Sequence, residues 1–163
     1  MKIAVVLREV EEAESELAAE LRAVGERHAT DHDVFHLTRL MHGWVDARLH
    51  RLSTHADRYG TDLDPERAEE ERRPGVVDRL REKGADLVGR RPEPGLLLLR
   101  DMRDLHLAAA RVSLAWTVLG QGAQAVQDTE LLATVTACHP EAIRTMKWTV
   151  QKVKEASPQV LAS

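Results

Sequence analysis

Apolar residues recur at three- and four-residue intervals along most of this chain, a spacing that predicts helices. Ile3, Leu7, Val10, Leu17, Leu21 and Val24 hold one helical register and predict a first helix over about 2–28. Residues 1–7 alone also fit a strand, but the unbroken register to Val24 favours helix. A second helix is expected over 31–59. Thr30 stands three residues ahead of Asp33, close to a capping-box arrangement, and Gly60 supplies a terminator. Its apolar face comprises Val34, Leu37, Leu40, Met41, Trp44, Val45 and Leu52. A third helix over 96–119 is apolar on much of its circumference, with Leu105, Ala109, Val112 and Trp116 on its inner side. Gly120 and Gly122 then mark a turn. A last helix is expected over 123–155, kinked or interrupted at His139-Pro140 and ended by Ser157-Pro158.

Residues 60–95 read as a crossover connection. Asp64-Pro65 looks like an N-cap followed by a first-turn proline, 75–88 could form a short helix, and 90–95 reads as a loop. The whole of 1–163 is expected to be one helical domain.

Composition supports helices over sheets. Aromatic residues are only 3% of the chain, and Leu, Val and Ala supply most of the 43% hydrophobic content. The formal net charge of −4 argues against nucleic acid as a partner. Arginines around Arg72 to Arg91 are interleaved with acids and read as a solvated face. Cys138 is the only cysteine, so no internal disulfide forms. The N-terminal apolar run is too short for a signal peptide, and the stretch around 105–119 too short to span a bilayer, which predicts a cytoplasmic protein with no membrane partner.

Four long helices with one long connection between the second and third resemble the bacterial stress-associated ferritin-like proteins. The closing stretch, from His139 through Lys147-Trp148 to Ala156-Ser157-Pro158-Gln159, is also similar to the ends of uncharacterised relatives of that group. The resemblance implies an all-α, ferritin-like four-helix bundle of two helical hairpins, and a role in a stress response. It also implies a place to look for metal. Di-iron sites of this fold take an inward Glu from each of two helices and a Glu-x-x-His pair from each of the others.

No Glu-x-x-His occurs here; the nearest substitute is Asp33-Val34-Phe35-His36. Glu14, Asp101 and His139 are the inward candidates, each falling on an apolar stripe. If the first turn centres near Ala29-Thr30, Glu14 lies opposite about Val45. That is roughly 16 Å from the Asp33/His36 level, too far to share an ion. Around Val45 the second helix offers only His42 and an outward Asp46, while His106 and His139 should lie at similar heights in the second hairpin. The ligand pattern therefore reads as degraded.

Five of the histidines, His28, His32, His36, His42 and His50, crowd the junction of the first two helices. His32 and His36, one turn apart, could chelate a transition-metal ion. Their side of the helix faces mostly away from the apolar stripe, which favours an exposed or interfacial polar face. At a two-fold dimer interface the columns of two chains could complete a site, and such a cluster would respond to mild acid. Other constellations are bland. Ser113 and Ser53 lack triad spacing, and Cys138 and His139 point about 100° apart on a helix. Gly120-Gln121-Gly122 is a turn, not a phosphate loop. Trp44 lies on an apolar stripe, whereas Trp148 falls off one and suggests an association surface.

The expected protein is a non-catalytic, homodimeric helical bundle with a structural or interaction role and no cofactor. The alternative is a metal-binding protein carrying iron, manganese or zinc on some of His32, His36, Asp33, Glu14, Asp101 and His139. An enzyme acting on a small molecule in the core has no positive support in the sequence.

Overall fold

A computed structural model of the chain describes residues 2–71 and 93–163, and the expected short helix over 75–88 lies outside them. The described residues form five α-helices: α1 (Ile3–Arg27), α2 (His32–Ser53), α3 (Pro65–Glu71), α4 (Pro94–Ala125) and α5 (Thr129–Ala162). A 3-10 turn, Asp57–Tyr59, follows α2. Residues 3–7 belong to helix α1 and not to a strand.

Each long helix buries a stripe of alternating three- and four-residue steps. On α4 the stripe runs Met102, Leu105, Ala109, Val112, Trp116, Leu119, and on α1 Leu7, Val10, Glu14, Leu17, Leu21, Val24. Such a stripe covers one face and buries it against neighbouring helices. Helix α1 packs on α2 and α4, α4 packs on α5, and α5 closes back on α2. Cross-helix contacts give the directions. Glu14 meets Arg48 and Arg22 meets His42, so α1 and α2 run antiparallel. Arg27 meets Asp101 and Glu14 meets Trp116, so α4 is also antiparallel to α1. His106 meets Thr149 and Ser113 meets His139 between α4 and α5, while Asp31 meets Lys152 and His55 meets Thr134 between α2 and α5. Among the four long helices every adjacent pair is antiparallel, and their chain order is up, down, down, up. The end of α2 and the start of α4 therefore lie at opposite ends of the molecule, which is why a long connection separates them.

Several helix ends differ from those the sequence predicts. The N-cap of α2 is Asp31, not Thr30: its Oδ1 accepts from the Val34 N–H at 3.2 Å. Helix α2 stops at Ser53, six residues short of Tyr59. In its last turn the Ser53 and Thr54 hydroxyls donate to the carbonyls of His50 and Arg51. Gly60 then ends the 3-10 turn in the left-handed region at φ 64°. Asp64 caps α3 as expected, accepting from the Arg67 N–H at 3.0 Å.

Pro94 sits in the first turn of α4, so the expected loop ends before it. The helix then runs through Gly120 and Gly122 to Ala125. These glycines do not turn the chain; they let helices approach. A Cβ on Gly120 would stand 3.1 Å from Val135 Cγ1, and one on Gly122 3.3 Å from Ile3 Cδ1. The true turn comes later, at Gln127 (φ 58°) and Asp128. Helix α5 passes through both Pro140 and Pro158 to Ala162. Pro140 has no N–H for the Thr136 carbonyl, but both residues are exposed, where water can take that acceptor.

Asp128 pins this turn. It accepts from the Leu131 N–H at 2.9 Å, from the Tyr59 hydroxyl at 2.6 Å and from Arg58 at 2.9 Å. The Leu131 N–H, then the Tyr59 hydroxyl and Arg58, hold its carboxyl at about 2, below the usual 3.8. Burial and the bond to Asp128 push Tyr59 up to about 12. A carboxyl lowered on folding stabilises the protein above its unfolded value, and that contribution is lost as pH falls from about 4 to about 2. Asp128→Asn keeps a capping side chain but cannot titrate. At pH 6 it should be less stable than the parent by about 1 kcal/mol, allowing for solvent screening at Arg58. Urea unfolding at pH 6 and pH 2.5 checks this: the gap should narrow at the lower pH.

Candidate functional site

About half-way along α1, Glu14 is fully buried among hydrophobic neighbours. Its carboxylate is held by a two-pronged fork. Arg48 Nε donates to Oε1 at 2.6 Å, and Arg48 Nη2 to Oε2 at 2.7 Å. From α4, the Trp116 indole Nε1 donates to the same Oε1 at 2.6 Å. Arg48 turns its remaining nitrogen to α5, where Nη1 donates to Glu141 Oε2 at 3.2 Å. The cluster thus draws one residue from each long helix, and Glu14, Arg48 and Trp116 are all essentially without solvent contact. Burial alone would lower Arg48; the hydrogen bonds and charge of Glu14, then Glu141, outweigh it and raise the group further. Cys138 is buried beside these charges. Burial pushes its thiol up, and the opposing pull of Arg51 does not reverse it.

The helices place these side chains by the same heptad-like stepping that builds the core. On α2 the buried stripe is Val34, Thr38, Met41, Val45, Arg48, Leu52, so Arg48 occupies a core position. Glu14 meets Arg48 one turn beyond the expected Val45 level, because the α1–α2 connection centres on Asp31 and not on Ala29-Thr30. Leu40, expected on the apolar face, is exposed, and Leu37 and Trp44 are half-buried.

The six sequence-predicted metal residues do not converge. Asp33 is exposed in the first turn of α2. His32 and His36 are exposed with ring centroids 4.7 Å apart. Asp101 is buried near the far end of α1, where it accepts from Arg27 at 2.8 Å and contacts His28 Nε2 at 2.7 Å. Burial alone would raise its carboxyl, but His28 and Arg27 hold it below the usual range. His139 is half-buried and its Nε2 lies 2.8 Å from the Ser113 hydroxyl. His106 pairs instead with Thr149 at 2.9 Å. Ser113 and His106 are seven residues apart on α4, so the two histidines lie roughly 10 Å apart in height and not level as expected. The Ser113–His139 pair escaped the sequence reading because it joins two helices. Trp148, expected at a surface, is half-buried and packs against the core.

This donor set does not fit a di-metal centre. All three acceptor directions that Glu14 presents to its neighbours are used by N–H donors, and a guanidinium cation stands where a metal ion would need to approach. Among the described residues, no group of three or more His, Cys, Asp or Glu side chains is arranged to hold a metal. No helix among them is long and apolar enough to cross a membrane. In comparisons with known proteins, no family model, curated protein or solved structure gives a significant match to the chain.

Proposed function

We propose that this chain is a ferritin-like four-helix bundle in which a protein ion pair takes the internal position that metal ions fill in di-iron members, and that it serves a structural or interaction role. The single observation behind this reading is the Glu14 carboxylate clasped by the Arg48 fork and the Trp116 indole. Three of the roughly four lone-pair sites of this dry carboxylate are taken by N–H donors, and the paired guanidinium opposes the approach of a second cation. The up-down-down-up order, with its long connection between α2 and α4, supports the ferritin-like part of the reading.

Elemental analysis after loading with ferrous iron, manganese or zinc and desalting tests it. The expected result is substoichiometric metal in the parent protein and in a His32→Ala/His36→Ala variant alike. Stoichiometric metal kept by that variant would overturn the reading in favour of an internal centre. Stoichiometric metal lost with the two histidines would replace it with a surface site on α2.

A further inference from the structure

Exposed large apolar side chains are unevenly shared between the two hairpins. Among the described residues, α1 and α2 expose only Val5 and Leu40, whereas α4 and α5 expose Leu96, Leu107, Leu114, Val118, Ile143 and Val150 within their paired length. Leu107 and Leu114, at 60% and 66% exposure, stand seven residues apart and so share one line along α4. Ile143 and Val150 repeat the same spacing on α5. The Ser113–His139 and His106–Thr149 bonds set the relative height of the helices, which puts Ile143 level with about Ala109. On the helical wheel both lines flank the α4–α5 seam on its outer side. Between them lie the small side chain of Ala110 and the half-buried His106, Ser113 and His139, of which His106 bonds to the buried Thr149. The packed α4–α5 pair thus presents an outer seam, or groove, edged by apolar side chains.

Its rims are basic. From Leu96 to Ala125 every exposed charged residue is an arginine: Arg100, Arg103 and Arg111. On α5 the exposed charged residues between Ala133 and Lys154 are Arg144, Lys147 and Lys154, with the exposed acids Glu130 and Glu155 lying beyond that stretch at either end. Arg103 pairs with its α4 neighbour Asp104, and Arg111 turns to Glu12 and Glu16 of α1. This basic face stands on a protein whose net charge is −4.

We propose that the outer α4–α5 groove docks an acidic amphipathic helix of a partner protein, with apolar anchors one and two turns apart between the two leucine and isoleucine–valine lines and carboxylates against the flanking Arg and Lys. This deepens the interaction role proposed above and rests on it. Spacing of seven on both walls matches the anchors of a helix laid in a groove. Charge decides between occupants. A second copy docked here by two-fold symmetry would face the same basic rims, a like-charge arrangement that opposes association. An anionic membrane would suit the charge, but interfacial binding leans on exposed Trp and Phe. Here Trp116 is buried, and Trp44 and Trp148 are half-buried against the core.

The test uses the full chain and a fluorescein-labelled, helix-forming peptide of about 20 residues with Leu at heptad a and d positions and Glu on its flanks. A control peptide carries Lys in place of Glu. Fluorescence anisotropy should show salt-sensitive binding of the acidic peptide alone. Leu107→Glu and Ile143→Glu, both at exposed sites, should each weaken it roughly tenfold or more. Lys147→Glu should weaken it and steepen discrimination against it as salt is lowered. Failure of the acidic peptide to bind, equal binding of both peptides, or unchanged binding in the two apolar variants would overturn the proposal. So would a dimer in sedimentation that Leu107→Glu disperses, or binding to phosphatidylserine vesicles that Leu107→Glu abolishes. The groove lies outside the Glu14–Arg48 cluster, so absence of binding leaves the metal experiment's result standing, and the two failures are distinguishable.

Discussion

Arg48→Met should destabilise the protein by about 3–5 kcal/mol, because it leaves the Glu14 carboxylate buried with only the Trp116 N–H to answer it. For a chain of this size, that corresponds to a fall of roughly 10 °C in Tm. The cost arises from the stranded charge more than from the lost pair. Glu14→Gln in the same chain removes that charge while its amide oxygen can still accept from Trp116. Glu14→Gln/Arg48→Met should therefore recover most of the loss, to within about 2 kcal/mol of the parent. Urea unfolding of the two single variants and the double variant closes the cycle. Additive losses would show that Glu14 and Arg48 contribute independently, contrary to the shared hydrogen bonds.

Trp116→Ala should cost a similar amount for a different reason. Trp116 is the largest fully buried side chain, and its removal opens a cavity as well as taking a donor from Glu14. Losses of about 3–5 kcal/mol are usual for such truncations. Trp116→Phe separates the two effects, since it keeps most of the ring and deletes only the N–H. It should cost about 1–2 kcal/mol in the parent, and less beside Glu14→Gln, where the acceptor carries no charge. The same denaturation series measures both. An equal loss for Phe and Ala would mean that the hydrogen bond dominates and the packing contributes little.

The helices were legible in the sequence because their apolar steps are regular, whereas several of their ends were not. Proline and glycine were the misleading signals. Pro140 stands on an exposed face where a missing N–H is tolerated, and Gly120 and Gly122 are needed for contact with Val135 and Ile3. Gln127 and Asp128, which do form the turn, carry no glycine to announce it. The central ion pair was half legible. Glu14 stood out as an acid on an apolar stripe, but Arg48 was missed because a tally of apolar positions skips an arginine in the same register. Reading Val34, Thr38, Met41, Val45, Arg48 and Leu52 as one four-three-four-three-four series would have exposed it. Its contact with Glu14 further required the turn to be centred within about two residues, and sequence spacing does not fix that.

The alternation of helix directions has an electrical consequence. At each end the four long helices bring together two N-termini and two C-termini, so the backbone dipoles of α1 and α5 oppose those of α2 and α4 and largely cancel. Asp31 caps a helix at one end and Asp128 caps one at the other, which leaves neither end as a strong backbone pole. Local fields at the described surface are then set by side chains, and on the α4–α5 side these include the exposed Arg103, Lys147 and Lys154. An acidic partner near this side would meet those cations, and not a helix-dipole pole at either end.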